Sequence, residues 1–261
     1  MSEDAEKNED SEPEFSFLMC VNKGHEFLDM AIKSVLDQTE KEFKFYIIAN
    51  NCSDELWEHL NSYGDQRLVL HRTLIGQLAF NLNYGLNLIG NGYVLRMDSD
   101  DISMPDRLKI TKTRLSEFGY PDILGGRAIL IDSKGQKIGE ACPPMSDEEI
   151  RAKLWKKNPI IHPSCALKVK SIIKLRGYLG GFMSEDYDLW LRAARSPDMK
   201  FKNIEDILIE YRINPYQSRG DALAYSEVAG HMVREALLGG RFISWVGFIV
   251  AAVKRYARGR G

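Results

Sequence analysis

Tyr93-Val94-Leu95-Arg96-Met97-Asp98-Ser99-Asp100-Asp101 is an apolar run that ends in acids. If the run is a buried strand that opens at its end, residues two apart share a face, so Asp98 and Asp100 point one way and Ser99 another. Two carboxylates about 6 Å apart repel by roughly 3 kcal/mol at an effective dielectric of about 20, and a divalent cation turns that cost into attraction. Oxygen ligands suit Mg²⁺ or Mn²⁺, ions that complete their shells with substrate phosphates. The stretch therefore reads as a metal and diphosphate site. The residues alone equally allow a solvated acidic turn, since Ile102-Ser103-Met104-Pro105-Asp106 has the chemistry of a helix start.

Upstream, the pattern alternates strands and helices. Phe15 to Val21 is a strand, and a helix from about Glu26 to Gln38 follows with apolar residues at helical spacing. Phe43 to Ala49 is the second strand, ending in Asn50-Asn51-Cys52-Ser53-Asp54, polar residues suited to a turn and then an N-cap. A helix to about Tyr63, a short strand at Arg67 to His71 and a helix from about Gly76 to Leu88 lead into the acidic strand. This order predicts an α/β domain with a mostly parallel central sheet flanked by helices. Ligands of such sheets bind beyond the carboxyl ends of the strands, where Asn22, Asn50, Asn51 and the Asp98 to Asp101 group all fall.

Downstream, a helix from about Pro105 to Phe118 precedes Ile123 to Ile138, two strands around the Asp132-Ser133-Lys134-Gly135 turn. Ser146 and Glu149 form a capping box for another helix, and Asn158 to Ser164, with two prolines, reads as extended. A second acidic cluster, Ser184-Glu185-Asp186-Tyr187-Asp188, opens a helix through Ala193. Taken alone, those acids suit the positive end of a helix dipole, and Asp188 with Arg192 makes an i, i+4 pair.

Composition bounds the rest. A chain of 261 residues with 44% hydrophobic content is ordinary for one large domain with an appendage. The formal charge of −2 gives no reason to expect nucleic acid. Four scattered cysteines without a Cys-x-x-Cys pair argue against zinc and against a disulfide framework, and fit a reducing cytosol. No secretory signal opens the sequence. Residues 1–14 carry seven acids and one lysine and are expected to be a disordered tail. Residues 241–261 carry five bases and no acid.

Several segments together resemble the family 2 glycosyltransferases of the GT-A fold, from about Phe15 to Asn214. They are Ala31-Ile32-x-Ser34-Val35-Leu36-x-Gln38-Thr39, Leu82-Asn83-x-Gly85-Leu86, Arg96 to Asp101, His162-Pro163-Ser164 and Glu185-Asp186-Tyr187-Asp188-Leu189-Trp190-Leu191-Arg192. The resemblance implies that Asp98 and Asp100 form an Asp-x-Asp motif, with Asp98 near the ribose and Asp100 on a Mn²⁺ or Mg²⁺ ion. It places Val21, Asn22, Asn51, Arg96 and Ser99 around the nucleotide sugar, and His162 and Asp101 on the acceptor side. Similarity to inverting members makes Asp186 the base, with Glu185 beside it. Helix acids, an interior Arg96 salt bridge and a hydrogen-bonded core His162 are the plainer readings of the same residues.

Three departures from the family pattern stand out. Cys20-Val21-Asn22-Lys23 replaces the usual Pro-Val-Tyr-Asn. Asn50-Asn51 replaces an Asp-Asp pair that commonly meets uracil, leaving a neutral, weaker acceptor. Asn214 stands where the family often has a histidine near the metal. The expected organisation is a tail over 1–14, a catalytic domain over 15–220 and a helical segment over 221–261. Within that segment Phe242 to Val253 spans about 18 Å as a helix, too short to cross roughly 30 Å of hydrocarbon. Residues 241–260 are expected to lie on the anionic inner face of a membrane, or else to pack on the catalytic domain or a partner. The expected function is transfer of a hexose or N-acetylhexosamine from a UDP-sugar to a lipid-linked surface glycan, by an enzyme peripheral to the cytoplasmic side of the membrane. The rivals are an inactive scaffold on the same fold and a sugar nucleotidyltransferase.

Overall fold

In the computed structural model residues 13–213, 222–240 and 242–258 are described. Most of the acidic tail, Asn214, Arg241 and Arg260 therefore lie outside the described residues. The sheet is built from β1 (Phe15–Val21), β2 (Lys44–Asn50), β3 (Leu68–Thr73), β4 (Tyr93–Met97), β5 (Ile102–Ser103), β6 (Ile123–Ile131), β7 (Lys137–Ala141), β8 (Ala166–Lys168) and β9 (Phe201–Arg212). Its order is β3-β2-β1-β4-β8-β6-β9-β5, with β7 paired to β6. The first four strands in that order run parallel, and β8 is antiparallel to both β4 and β6. The helices are α1 (Leu28–Leu36), α2 (Asp54–Asn61), α3 (Leu78–Ile89), α4 (Arg107–Glu117), α5 (Asp147–Lys153), α6 (Val169–Lys174), α7 (Glu185–Arg195), α8 (Ala222–Gly239) and α9 (Phe242–Arg258).

Alternation along β1 and β4 divides the core in two. Phe17, Met19, Leu95 and Met97 pack on one face with Ile32, Leu56 and Leu108, while Leu18 and Val94 pack on the other with Leu82, Ile172 and Trp190. Arg96 lies opposite Leu18 in the parallel register, on the face that carries α7. The strand that sequence alone identifies thus aims Arg96 and Asp98 at the second acidic segment.

The recurring small and polar residues have local causes. A Cβ on Gly85 would lie 2.4 Å from Leu18 Cδ1, so the glycine lets α3 close on β1. Gln38 is fully buried; its amide donates to Met104 O and its carbonyl accepts from the Leu108 amide, tying α1 to the segment after the acidic turn. Asn83 accepts from the Tyr178 amide and donates to the Tyr178 carbonyl, both at 2.8 Å.

Some elements differ from the sequence reading. Instead of remaining extended throughout, the Asn158 to Ser164 segment closes into a 3-10 turn over His162–Ser164, where Pro163 supplies a fixed φ and Ser164 Oγ bonds Ile161 O at 2.7 Å. The long β9 is not apparent from local pattern, since Lys202, Glu205, Asp206 and Glu210 interrupt it. Its register against β6, from Ile123↔Phe201 to Ile131↔Arg212, is what makes it a strand.

Candidate active site

The acidic turn after β4 is held from beneath by two buried arginines. Arg107, fully buried in the first turn of α4, donates from Nη2 to Arg96 O at 2.8 Å and lies over the Phe17 ring. Burial pushes its pKa down to about 10. Arg212, at the end of β9, donates from Nε to Asp100 O at 2.8 Å and stacks on Phe27 at 3.9 Å. Above them Arg96 Nη2 meets Asp98 Oδ1 at 2.5 Å. Burial opposes the Arg96 charge, and its neighbours, Asp98 first among them, more than restore it.

The three aspartates then part ways. Asp98 is partly exposed and Asp100 lines the same groove, its pKa raised first by burial and then by Asp98. Asp101 is fully buried, and its Oδ1 accepts the Arg212 backbone N–H at 2.8 Å. It does not line the groove. Ser99 instead meets His25 Nε2 at 3.0 Å, a contact across the β1–α1 loop that no pattern in the sequence announces.

Val21 is buried at the end of β1, Asn22 is exposed beside it, and Asn51 follows β2 with φ 48°. The parallel register sets them on the same rim as the β4 turn. Asn51 is seated by its amide on Thr73 O at 2.8 Å, and a Cβ on Gly76 would come within 3.2 Å of its own.

The second segment enters from α7. Glu185 is 8% exposed, and burial followed by the neighbouring Asp186 raises its pKa. Asp186 accepts from Asn158 Nδ2 at 2.7 Å and from the Tyr187 amide; burial raises its pKa, against the pull of those two donors. Asp188 is fully buried among Arg192, Arg234 and His231, an anchor between α7 and α8. His162 Nε2 meets the Tyr178 hydroxyl at 2.8 Å, and its ring lies edge-on to Trp190. Burial and then Arg96 hold its pKa well below the usual range, so the imidazole is neutral at pH 7.

Both segments line one groove of about 690 Å³, which brings Asp98 and Asp100 together with Glu185, Asp186, His162 and Arg96. No group of three acidic, histidine or cysteine side chains among the described residues could hold a metal alone. Two groove-facing carboxylates still fit Mg²⁺ or Mn²⁺, because such ions bind through one or two carboxylates and fill the remaining positions from phosphates. Asn158, Tyr178, Arg107 and Arg212 escaped sequence reasoning, since each acts through a contact distant in the chain.

The mixed sheet thus carries an acidic turn at the end of its central strand, faced across a groove by a second acidic helix start, in a fold of the GT-A type. The sequence matches the Glycosyl transferase family 2 model over residues 16–176. The chain belongs to that family and is a glycosyltransferase. It is 37% identical over 227 residues to the Escherichia coli protein named O-antigen biosynthesis glycosyltransferase WbnJ, covering 85% of this chain and 88% of the relative. It is 26% identical over 256 residues, 94% of this chain and 91% of the relative, to the Escherichia coli UDP-Gal:alpha-D-GlcNAc-diphosphoundecaprenol beta-1,3-galactosyltransferase. Among solved structures, S. aureus TarS 1-349 in complex with UDP-GlcNAc matches with a TM-score of 0.66 at 14% identity, over 85% of this chain and 66% of that chain.

Proposed function

We propose that the protein is an inverting, metal-dependent transferase that moves a hexose or N-acetylhexosamine from a UDP-sugar to a lipid-linked bacterial surface glycan. The observation that supports it best is the meeting of Asp98 and Asp100 with Glu185 and Asp186 across one groove, although some 85 residues separate the two pairs in the chain. Asp98 and Asp100 would hold the ion, with the diphosphate filling further positions. Bound there, Mn²⁺ or Mg²⁺ stabilises the charge that gathers on the nucleoside diphosphate as the sugar leaves. Arg96 keeps Asp98 aimed into the groove, and Val21, Asn22, Asn51 and Ser99 border the nucleotide.

Asp186 takes the proton of the acceptor hydroxyl as that oxygen bonds to the anomeric carbon and the carbon to diphosphate bond breaks. Its raised pKa suits a general base. Glu185 completes the acceptor side with the neutral His162, while Asp101 supports the turn from inside. The name of WbnJ supports an O-antigen type of product, that of the galactosyltransferase supports a lipid-linked acceptor and a UDP donor, and the UDP-GlcNAc complex of TarS is in keeping with a UDP donor.

No helix among the described residues is long and apolar enough to cross a membrane. One side of α9 packs on the domain through Ser244 and Ala251, while Phe242, Trp245, Ile249, Val253 and Tyr256 stay exposed. We read that outer stripe as the face that rests on the cytoplasmic membrane surface. Calorimetry with UDP, with and without Mn²⁺, tests the donor site: metal-dependent binding is expected, and its absence would fit an inactive scaffold. Asp186→Ala is expected to lower transfer by a factor of about 10²–10⁴, the usual share of a positioned base, while UDP still binds. Near-normal turnover in that variant would remove Asp186 from the base role.

A further inference from the structure

The groove is electrically lopsided. Its acids, Asp98, Asp100, Glu185 and Asp186, come from the ends of β4 and α7, whereas the wall formed by residues 155–157 and α9 contributes Lys156, Lys157 and Lys254 and no carboxylate. Gly247 makes that wall possible, because a Cβ there would lie 2.8 Å from both Trp155 O and Met232 Sδ. Lys254 Nζ then donates to Lys156 O at 3.1 Å, fastening α9 to the lysine segment. Asn158, two residues beyond Lys156, holds Asp186. One short segment thus spans the carboxylate and cationic ends.

We infer that the lysine end of the groove is a subsite for the diphosphate of the acceptor, with the lipid leaving along the apolar stripe of α9. This rests on the proposed transfer to a lipid-linked glycan and specifies where this chain would grip it. At most about 7 Å separates the Cα atoms of Lys156 and Asn158, close to the reach of one hexose. Because Asn158 holds Asp186 and lies two residues from Lys156 in the lining of the same groove, a sugar whose hydroxyl meets Asp186 would extend its diphosphate toward the lysine segment. Lysine binds phosphate as a mobile point charge, which suits a flexible diphosphate. Beyond the lysines, the groove is lined by Val250 and Ala251 of α9, and Ile249 and Val253 lie exposed on the same helix at 58% and 61%.

The test is titration with farnesyl diphosphate of protein already saturated with UDP and Mn²⁺, followed by calorimetry, with farnesol and inorganic pyrophosphate as separate arms. Farnesyl diphosphate is expected to bind to the UDP-loaded protein at least tenfold more tightly than either fragment. Lys156→Ala/Lys157→Ala is expected to weaken it at least tenfold with the melting temperature and UDP affinity unchanged, and Lys254→Ala, which also removes the bond to Lys156 O, to weaken it at least tenfold with UDP affinity unchanged. Equal binding to wild type and variants, binding only when UDP is absent, or no binding at all would overturn the subsite. Pyrophosphate binding as tightly as the lipid would overturn the lipid exit alone. Failure of UDP to bind is a different result, and it would overturn the transferase reading instead.

Discussion

Asp186 sits between opposing influences: burial raises its pKa, while the Tyr187 amide and then the Asn158 side chain lower it. A base works only when deprotonated, so turnover should appear as pH rises through the folded-state pKa. Asn158→Ala removes a donor that favours the carboxylate, so the acid limb of the kcat/KM profile is expected to move to higher pH. An unmoved limb would mean that the Asn158 bond does not tune the base. Arg107 acts by support alone. Its loss in Arg107→Met leaves the Arg96 carbonyl without its partner in the core, at a cost of about 1–3 kcal/mol, measurable as a lower urea midpoint. His162 shows why residue identity was readable before residue role. A histidine beside a proline is visible in sequence, but its lowered pKa follows from burial and then from Arg96, both of which only folding supplies.

The loop from Gly180 to Ser184 is an element with little structure of its own, held from outside by α8. Glu227 accepts from the amides of Phe182 and Met183 and from the Ser184 hydroxyl, at 2.8 to 3.1 Å. Gly181 leaves room for it, since a Cβ there would lie 2.1 Å from Glu227 Oε2. Hydrogen bonds to a charged group contribute about 1.5–3 kcal/mol, so the loop that leads into Glu185 and Asp186 depends on this carboxylate. Glu227→Ala is expected to speed amide exchange at Phe182 and Met183 and to lower kcat, with UDP affinity retained. Unchanged exchange would show that the loop holds itself. The capping box of α5 and the hairpin of β6 and β7 were legible beforehand because their bonds are local. The latch was not, because 43 to 45 residues separate its partners.

At the scale of the molecule, α9 presents apolar groups on two sides. Ser244 and Ala251 are buried, and Phe242, Trp245 and Tyr256 stay 79%, 41% and 76% exposed. The sequence alternatives of a packed helix and an interfacial helix thus fall on different faces of one helix, the inner one observed and the outer one proposed. Vesicles with anionic lipid are expected to sediment the protein in a salt-sensitive way. Arg255→Ala should weaken that association about fivefold, the equivalent of about 1 kcal/mol per base. Neutral and anionic vesicles behaving alike would argue for a protein partner on this face.

By itself the sequence determined the alternation of strands and helices, the open carboxyl rim and the two acidic segments, because each follows from spacing within a few residues. It determined the family as well, through motifs whose order survives in the chain. The tertiary structure decided which acids face the groove and which are buried: Asp98 and Asp100 line it, while Asp101 and Asp188 are fully buried against Arg212 and against Arg192 with Arg234. It also decided that β9 is a strand and that Asn158, Lys156 and Lys254 share a wall. The reason is physical. A carboxylate's charge, exposure and partners depend on groups brought close by packing, and packing is set by cores assembled from the whole chain rather than by neighbours in sequence.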